Sequence, residues 1–349
     1  MTTPASSLPR LDPTPIFDAF RGNHGTELLT AAVAHFDIFS ILAEGPIGFV
    51  SLGKRLGLVE RPLVVLLTAL RAYGLVTLDQ QKRCIPTDLA REHLTPGGRF
   101  DVSGYLGLAA ESPGVLEMVQ LLRSNRPAGA DTEAGAAFIF REGVESAMEQ
   151  EASARSLTLA LEGRARNVAP VLAAKVSLDD ATMILDVGGG TGIYAIAWLL
   201  RHENLKAIIW DRPQVLKVAR EMAEEHGVAD RVKCVSGDMF TDDVPTGADV
   251  ILLSNVLHDW DIPECRKLIA ACAAALPTGG RLIIHDVYLN DAHDGPLPIA
   301  LYSAALFRLS EGRAYSAGEY RQWLTEAGLT FESMTPTLIH CGALVARKV

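Results

Sequence analysis

The sequence predicts an α/β protein: a doubly wound, mostly parallel sheet in the C-terminal half, preceded by a smaller, mostly helical domain. From Thr182 onward, short aliphatic runs at Met183–Val187, Ala207–Trp210, Val232–Ser236, Val250–Ser254 and Arg281–Val287 alternate with helical segments, the pattern of a parallel sheet with crossover helices. The first run ends in Asp186-Val187-Gly188-Gly189-Gly190-Thr191-Gly192. These glycines let a strand turn tightly into a helix near Ile193 and let a ligand come close to the backbone. The N-terminal half has a different texture, with helical spacing followed by two short strands around a polar turn.

At 349 residues the chain exceeds the roughly 100–200 residues of one ordinary domain. We divide it into residues 1–108, a helical connector at 109–169 and a sheet domain at 170–349, with the junction near Pro170. Hydrophobic residues make up 48% and charged residues 21%, the balance of a globular protein rather than a disordered or fibrous one. The longest nearly apolar stretches, such as Leu63–Leu70, fall far short of the roughly 18 residues that span a bilayer, so no membrane partner is expected. MTTPASSLPR has no apolar core behind a positive start, and a cytoplasmic location is expected. Cys84, Cys234, Cys265, Cys272 and Cys341 form no C-x-x-C pair and are odd in number, which suits free thiols in a reducing compartment. A net charge of −10 repels a phosphate backbone, so no nucleic acid partner is expected either.

The first dozen residues read as a frayed arm. Between Asp18 and Leu42, Phe20, Leu28, Leu29, Ala32, Val33, Phe36, Ile38, Phe39 and Leu42 recur at helical spacing, predicting one or two buried helices that Gly45 and Pro46 end. Helices at Phe49–Gly57 and Glu60–Tyr73, then strands at Leu75–Leu78 and Arg83–Pro86, make a winged-helix pattern. Its second helix is too aliphatic for a wet DNA interface, so burial against protein is expected. Tyr105–Arg123 and Gly143–Ala165 read as helical, with a loop at Asn125–Ala136 between them.

In the sheet domain three strand ends converge on the crevice where open α/β sheets bind ligands. Ile193 stands where a dinucleotide-binding G-x-G-x-x-G has its last glycine, which disfavours NAD and FAD. Asp211, ending the second strand, offers a carboxylate to two ribose hydroxyls, although an N-cap ahead of Pro213 would use the same side chain. Ser236-Gly237-Asp238-Met239-Phe240 ends the third strand with an acid for an adenine amino group and a Met239 or Phe240 side chain to cover the ring.

With Leu257-His258-Asp259-Trp260 after the fourth run, and Leu276-Pro277 and Gly279-Gly280 beyond it, these segments resemble in order and spacing the plant-type and bacterial small-molecule O-methyltransferases. That family includes the caffeic acid and hydroxyindole O-methyltransferases, and the resemblance covers nearly the whole chain. The glycine loop is shared by many methyltransferases, whereas H-D-W after the fourth strand is narrower. The resemblance implies a Rossmann-like class I methyltransferase domain, S-adenosylmethionine as cofactor and S-adenosylhomocysteine as its product. It also implies that the winged-helix domain forms a homodimer and helps close the partner's substrate pocket. By position, it assigns Gly188 and Gly190 to the methionine part, Asp211 to the ribose, and Asp238 and Met239 to the adenine. Asp186, Phe240 and Ser254 are placed on the cofactor as well, Ser254 where plant enzymes commonly carry a lysine.

The resemblance makes His258 the catalytic base and Asp286 an acid that steers it. A second steering acid is expected in Gly312-Arg313-Ala314-Tyr315-Ser316, where this chain has Ala314 and Glu311 is displaced along the chain. Ser316 and Glu319 read as a capping box opening a helix from Ala317 to Ala327. Met148, Trp260, Leu301, Tyr302, Ala305 and Phe307 fall in segments that wall the acceptor pocket in relatives, an apolar lining suited to a flat, weakly polar acceptor. Each would serve equally as plain core. No His, Cys, Asp or Glu group has ligand spacing, so no metal is expected; His285 and His293, among Asp286, Asp291 and Asp294, read as a loop.

The expected function is methyl transfer from S-adenosylmethionine to a hydroxyl of a small aromatic or polyketide-like metabolite. Ala314 keeps open a relative diverted to cyclisation, hydroxylation or decarboxylation. A winged-helix DNA-binding regulator is the remote alternative, disfavoured by the aliphatic helix and the acidic chain.

Overall fold

The computed structural model describes residues 5–126 and 151–349. The chain divides into two compact units. The N-terminal unit comprises the described residues of Asp18–Gly135 together with Leu289–Leu309, and the sheet unit those of Met1–Phe17, Ala136–Tyr288 and Ser310–Val349. The division is therefore not sequential. Pro170, where a junction was expected, lies inside the continuous helix Glu151–Lys175.

In the N-terminal unit the expected pair of helices is Phe49–Leu56 and Glu60–Ala72, and the wing is β1 (Val76–Leu78) antiparallel to β2 (Cys84–Pro86). Pro62 is tolerated because the first turn of a helix has no intrahelical acceptors for its amides. Glu60–Ala72 buries Leu63, Val65, Leu66, Leu67, Ala69 and Leu70. Its two arginines turn inward on protein: Arg61 donates to Asn125 Oδ1 and to the Phe307 carbonyl, both at 3.1 Å, and Arg71 donates to the carbonyl of Ala292. Leu301, Ala304 and Phe307, from helix Leu297–Leu309, join the same core.

Two expectations are corrected here. Phe20 is 72% exposed on helix Thr14–Arg21, although Leu28, Ala32, Phe36, Ile38, Phe39 and Leu42 are buried as expected. Tyr105–Arg123 is not one helix but Ser103–Leu106, a 3-10 turn at Gly107–Ala109, and Pro113–Ser124, because Pro113 cannot donate to a preceding turn and starts a new helix.

The sheet unit is built on β3 (Met183–Val187), β4 (Lys206–Asp211), β5 (Val232–Ser236), β6 (Val250–Ser254), β7 (Arg281–Leu289), β8 (Tyr315–Ser316), β9 (Leu329–Pro336) and β10 (Cys341–Lys348). The order across the sheet is β5-β4-β3-β6-β7-β10-β9, with β8 paired to β7. Strands β3 to β7 are parallel, as expected, and β10 runs antiparallel to both neighbours. Because β4 lies on one side of β3 and β6 on the other, the strand order reverses at β3, a switch point that opens a crevice at the strand ends. Helix Ile193–Leu199 is wholly buried, with Trp198 Nε1 donating to the Val176 carbonyl at 2.9 Å. The capping box is present at Ser316 and Glu319, opening Ala317–Glu326. Among the described residues, no helix is long and apolar enough to cross a membrane, and all five cysteines are free.

Leu66 tests whether Glu60–Ala72 is core. Leu66→Ala should lower the unfolding free energy by about 2–5 kcal/mol in urea titration, whereas a solvent-facing recognition helix would change by less than about 0.5 kcal/mol.

Candidate active site

At the end of β3 the backbone enters the left-handed region at Gly188 (φ 62°), Gly190 (φ 60°) and Gly192 (φ 73°), where a Cβ is penalised. Gly188 donates its amide to the Trp210 carbonyl at 2.8 Å, and Gly190 donates to Asp211 Oδ2 at 2.8 Å, which ties the turn to the end of β4. A Cβ on Gly189 would lie 2.9 Å from Asp186 Cγ, so the turn wraps closely around that carboxylate.

Asp186 is buried, and its Oδ2 has no hydrogen-bond partner among the described residues. Burial, helped by the nearby charge of Asp211, pushes its carboxyl up to about 7. Burial also raises Asp211, against the amides of Gly190 and Arg212. At the end of β5, Asp238 pairs with Arg212 at 2.9 Å and accepts from the Phe240 amide at 2.9 Å. Met239 Cε lies 3.6 Å from where a Gly188 Cβ would stand, and the Phe240 ring meets Trp260 edge-on at 4.6 Å. The structure thus brings Asp186, Gly188, Gly190, Asp211, Asp238, Met239 and Phe240 to neighbouring strand ends. A buried carboxylate with one oxygen unpartnered, a glycine turn open at Gly190 and two further acids at strand ends fit an adenosine ligand with a cationic amino-acid part.

His258 sits in a short turn, Leu257–Asp259, just beyond the end of β6. It is 4% exposed, and its Nδ1 is 2.6 Å from Asp286 Oδ1 on β7. The same Oδ1 accepts the Val287 amide at 2.8 Å, and Tyr320 donates to Oδ2 at 3.3 Å. Burial opposes a charge on the imidazole, but Asp286 and Asp259 outweigh it and hold His258 above the ordinary histidine value. For Asp286 burial is likewise outweighed, by His258 and the Val287 amide, and the carboxyl stays below its ordinary value.

Asp259 had no role assigned from sequence, though it adjoins His258 in the quoted motif. Its Oδ1 lies 3.7 Å from His258 Nε2, and burial pushes it up to about 6 against the pull of the imidazole. Asn255, in a left-handed conformation (φ 55°), donates to Ser254 Oγ at 3.0 Å and keeps a buried, unpartnered Oδ1. Ser254 Oγ also meets His285 Nδ1 at 2.9 Å, while His285 Nε2 meets Thr337 at 3.1 Å. His285 is therefore a buried core histidine rather than part of a loop, and burial pushes it down to about 3. Ala314 is fully buried. Gly312 packs so closely that a Cβ would lie 2.1 Å from the His258 carbonyl oxygen and 2.6 Å from the Trp260 amide.

Of the expected acceptor residues, Trp260 lies in the sheet unit beside this turn, its carbonyl accepting from Tyr315 at 2.6 Å. Tyr302 is half-buried in the N-terminal unit under the Arg21 guanidinium, 4.3 Å from the ring centre. Ala305 is half-buried on the same helix, and Phe307 belongs to that unit's core with Arg61 over its ring at 4.5 Å. Met148 lies outside the described residues.

A switch-point glycine turn, acids on two further strand ends and a histidine–carboxylate pair after the fourth parallel strand define a nucleotide-binding methyltransferase of the class I kind. The model of the O-methyltransferase domain matches residues 134–330. The 3-hydroxy-5-methyl-1-naphthoate 3-O-methyltransferase of Streptomyces sahachiroi is 34% identical over 90% of this chain and 89% of its own. An O-methyltransferase family 2 protein from Planctomyces limnophilus, solved in complex with apigenin, is 46% identical over 100% of this chain and 99% of its own, with a TM-score of 0.89. Human N-acetylserotonin methyltransferase in complex with SAM shares the fold at 20% identity, with a TM-score of 0.59 over 96% of this chain and 97% of its own. The chain belongs to the O-methyltransferase family and is an S-adenosylmethionine-dependent O-methyltransferase.

Gly312→Ala forces its methyl into the His258 backbone and should lower kcat by about 10²-fold, while calorimetry finds cofactor affinity within about three-fold of wild type. Unchanged kcat would mean that the turn gives way without consequence.

Proposed function

We propose that His258 is the general base of methyl transfer to a phenolic hydroxyl of a small aromatic metabolite. The observation that carries this reading is the buried pair of His258 Nδ1 and Asp286 Oδ1 at 2.6 Å, in the turn after the strand that adjoins the glycine turn. A carboxylate on Nδ1 selects the tautomer with the proton there and the lone pair on Nε2, the form able to take a proton, and stabilises the imidazolium that results.

When bound, S-adenosylmethionine supplies a methyl group on a sulfonium whose departure needs no proton. The chain's own task is to hold it and to prepare the acceptor. Asp186, Gly188 and Gly190 would hold the amino-acid part, Asp211 the ribose, and Asp238, Met239 and Phe240 the adenine, with Ser254 at the β6 end among the cofactor residues. The unpartnered Oδ2 of Asp186 supports the first of these assignments, since a buried carboxylate favours a cationic neighbour. His258 would take the phenolic proton as the oxygen attacks, a contribution of about 10²–10⁴-fold. Trp260, next but one to the base, is the residue proposed to lie against the acceptor ring. The aromatic acceptor class rests on relatives, one named for a hydroxynaphthoate and another solved with apigenin.

The test uses methyl-labelled S-adenosylmethionine with apigenin and hydroxynaphthoates, read by mass spectrometry. Wild type should label a hydroxyl, and His258→Ala should lose about 10²–10⁴-fold in kcat. Because Asp286 and Asp259 raise the imidazole, activity should climb with pH through a midpoint above the ordinary histidine value of about 6.5. Product undiminished in the variant rejects the base, and an altered acceptor skeleton without label favours the diverted chemistry.

We also propose a homodimer through the N-terminal unit, supported by the exposed apolar side chains Phe100, Val102, Tyr105, Leu108 and Leu116 on it. Sedimentation equilibrium should give about twice the 37.5 kDa chain mass; a monomer at micromolar concentration rejects it.

A further inference from the structure

The His258–Asp286 pair explains one oxygen of the carboxylate and leaves the other to be accounted for. Oδ1 is shared by His258 Nδ1 and the Val287 amide, and Asp286 as a whole is 1% exposed. Oδ2 has one side-chain donor among the described residues, the Tyr320 hydroxyl at 3.3 Å. Tyr320 is itself fully buried, and its ring is caged edge-on by Tyr288 at 5.5 Å, Tyr315 at 5.8 Å and Trp323 at 5.3 Å, so the direction of its hydroxyl is fixed by packing.

The segment that brings Tyr320 there is fixed in turn. Glu319 closes the capping box with Ser316, and Arg313 donates to Glu319. Gly312 rests against the His258 carbonyl, so the backbone leading into the helix is registered on the histidine turn itself. The acid expected at 314 is absent, but the helix that follows reaches the same carboxylate from four residues into its length.

We propose that Tyr320 is a positioning residue for the His258–Asp286 pair: its hydroxyl anchors Oδ2, fixes the rotation of the carboxylate and thereby aims the imidazole. This rests on His258 being the base. Burial holds the Tyr320 hydroxyl well above the usual phenol range, so it stays a donor throughout the working pH range. Without that donor, the carboxylate would be held through Oδ1 alone, and its less damped charge would hold the imidazolium more strongly.

Tyr320→Phe keeps the ring cage and removes only the hydroxyl. With apigenin or a hydroxynaphthoate that wild type methylates, kcat should fall about ten-fold with both KM values within about two-fold. In protein labelled with ¹⁵N-histidine, with the His258 signal assigned by its loss in His258→Ala, the imidazole midpoint should move up by about half a unit, and the acid limb of the kcat profile should move with it. The double variant should be no slower than His258→Ala alone.

A His258 midpoint and kcat profile identical to wild type overturn the proposal, as does a loss confined to KM or to thermal stability, which would mark Tyr320 as packing only. A His258→Ala variant as active as wild type overturns the base and the positioning role together. That outcome differs from failure of the positioning role alone, in which His258→Ala is impaired and Tyr320→Phe is not.

Discussion

A carboxylate charge in the centre of a sheet has to be compensated from every side, and Asp286 is such a charge. It sits on β7, a strand buried on both faces past its first residue, where an unpaired anion would cost several kcal/mol even after relaxation. Among the described residues its hydrogen-bond donors come from three elements: the turn after β6 gives His258, the strand gives the Val287 amide, and helix Ala317–Glu326 gives Tyr320, while the positive charge of Arg164 adds to them. Each donor is held by something else. Cys265 donates its thiol to the Leu257 carbonyl, Gly312 admits the close approach to the turn, and the capping box fixes the helix. One anion therefore sets the relative placement of a turn, a strand and a helix that are distant in sequence.

Adjacent residues on β7 show how alternation separates two chemistries. His285 and Asp286 point to opposite faces, as neighbours on a strand must. On one face His285 meets the hydroxyls of Ser254 and Thr337 and the ring of Tyr194, and burial keeps it neutral. On the other, Asp286 meets a histidine and remains the ionised partner. The same depth of burial suppresses one charge and sustains its neighbour, because only one of the two faces offers a countercharge.

Much of this was legible in the sequence, and where it was not there are physical reasons. Five parallel strands, the glycine turn and the wing are local patterns, and they appear close to the expected residues. β9 escaped because it is an edge strand, mostly exposed beyond Leu329, with no buried apolar run to announce it, and β10 was missed because its aliphatic run, Ala343-Leu344-Val345-Ala346, is only four residues long. The division between units was misplaced at Pro170 because a proline in a helix reads as a stop, whereas Val168, Ala169, Val171 and Leu172 bury the face that carries the helix through. At the site, residues on strand ends were readable one by one, since each strand end is a local event. Tyr320 and Gly312 were not, because their significance lies in what they touch, and a missing acid at 314 gives no hint of a hydroxyl six residues later.

The return of Leu289–Leu309 to the N-terminal unit has a consequence for how the chain is made. During synthesis about 180 residues separate Leu122, the last of the earlier core residues of that unit, from Leu301, Ala304 and Phe307, which complete the same core. Until they leave the ribosome, the aliphatic face of Glu60–Ala72 lacks those partners and remains a surface for chaperones to cover. A fragment cut before Leu289 would carry an unfilled interior rather than a smaller intact domain.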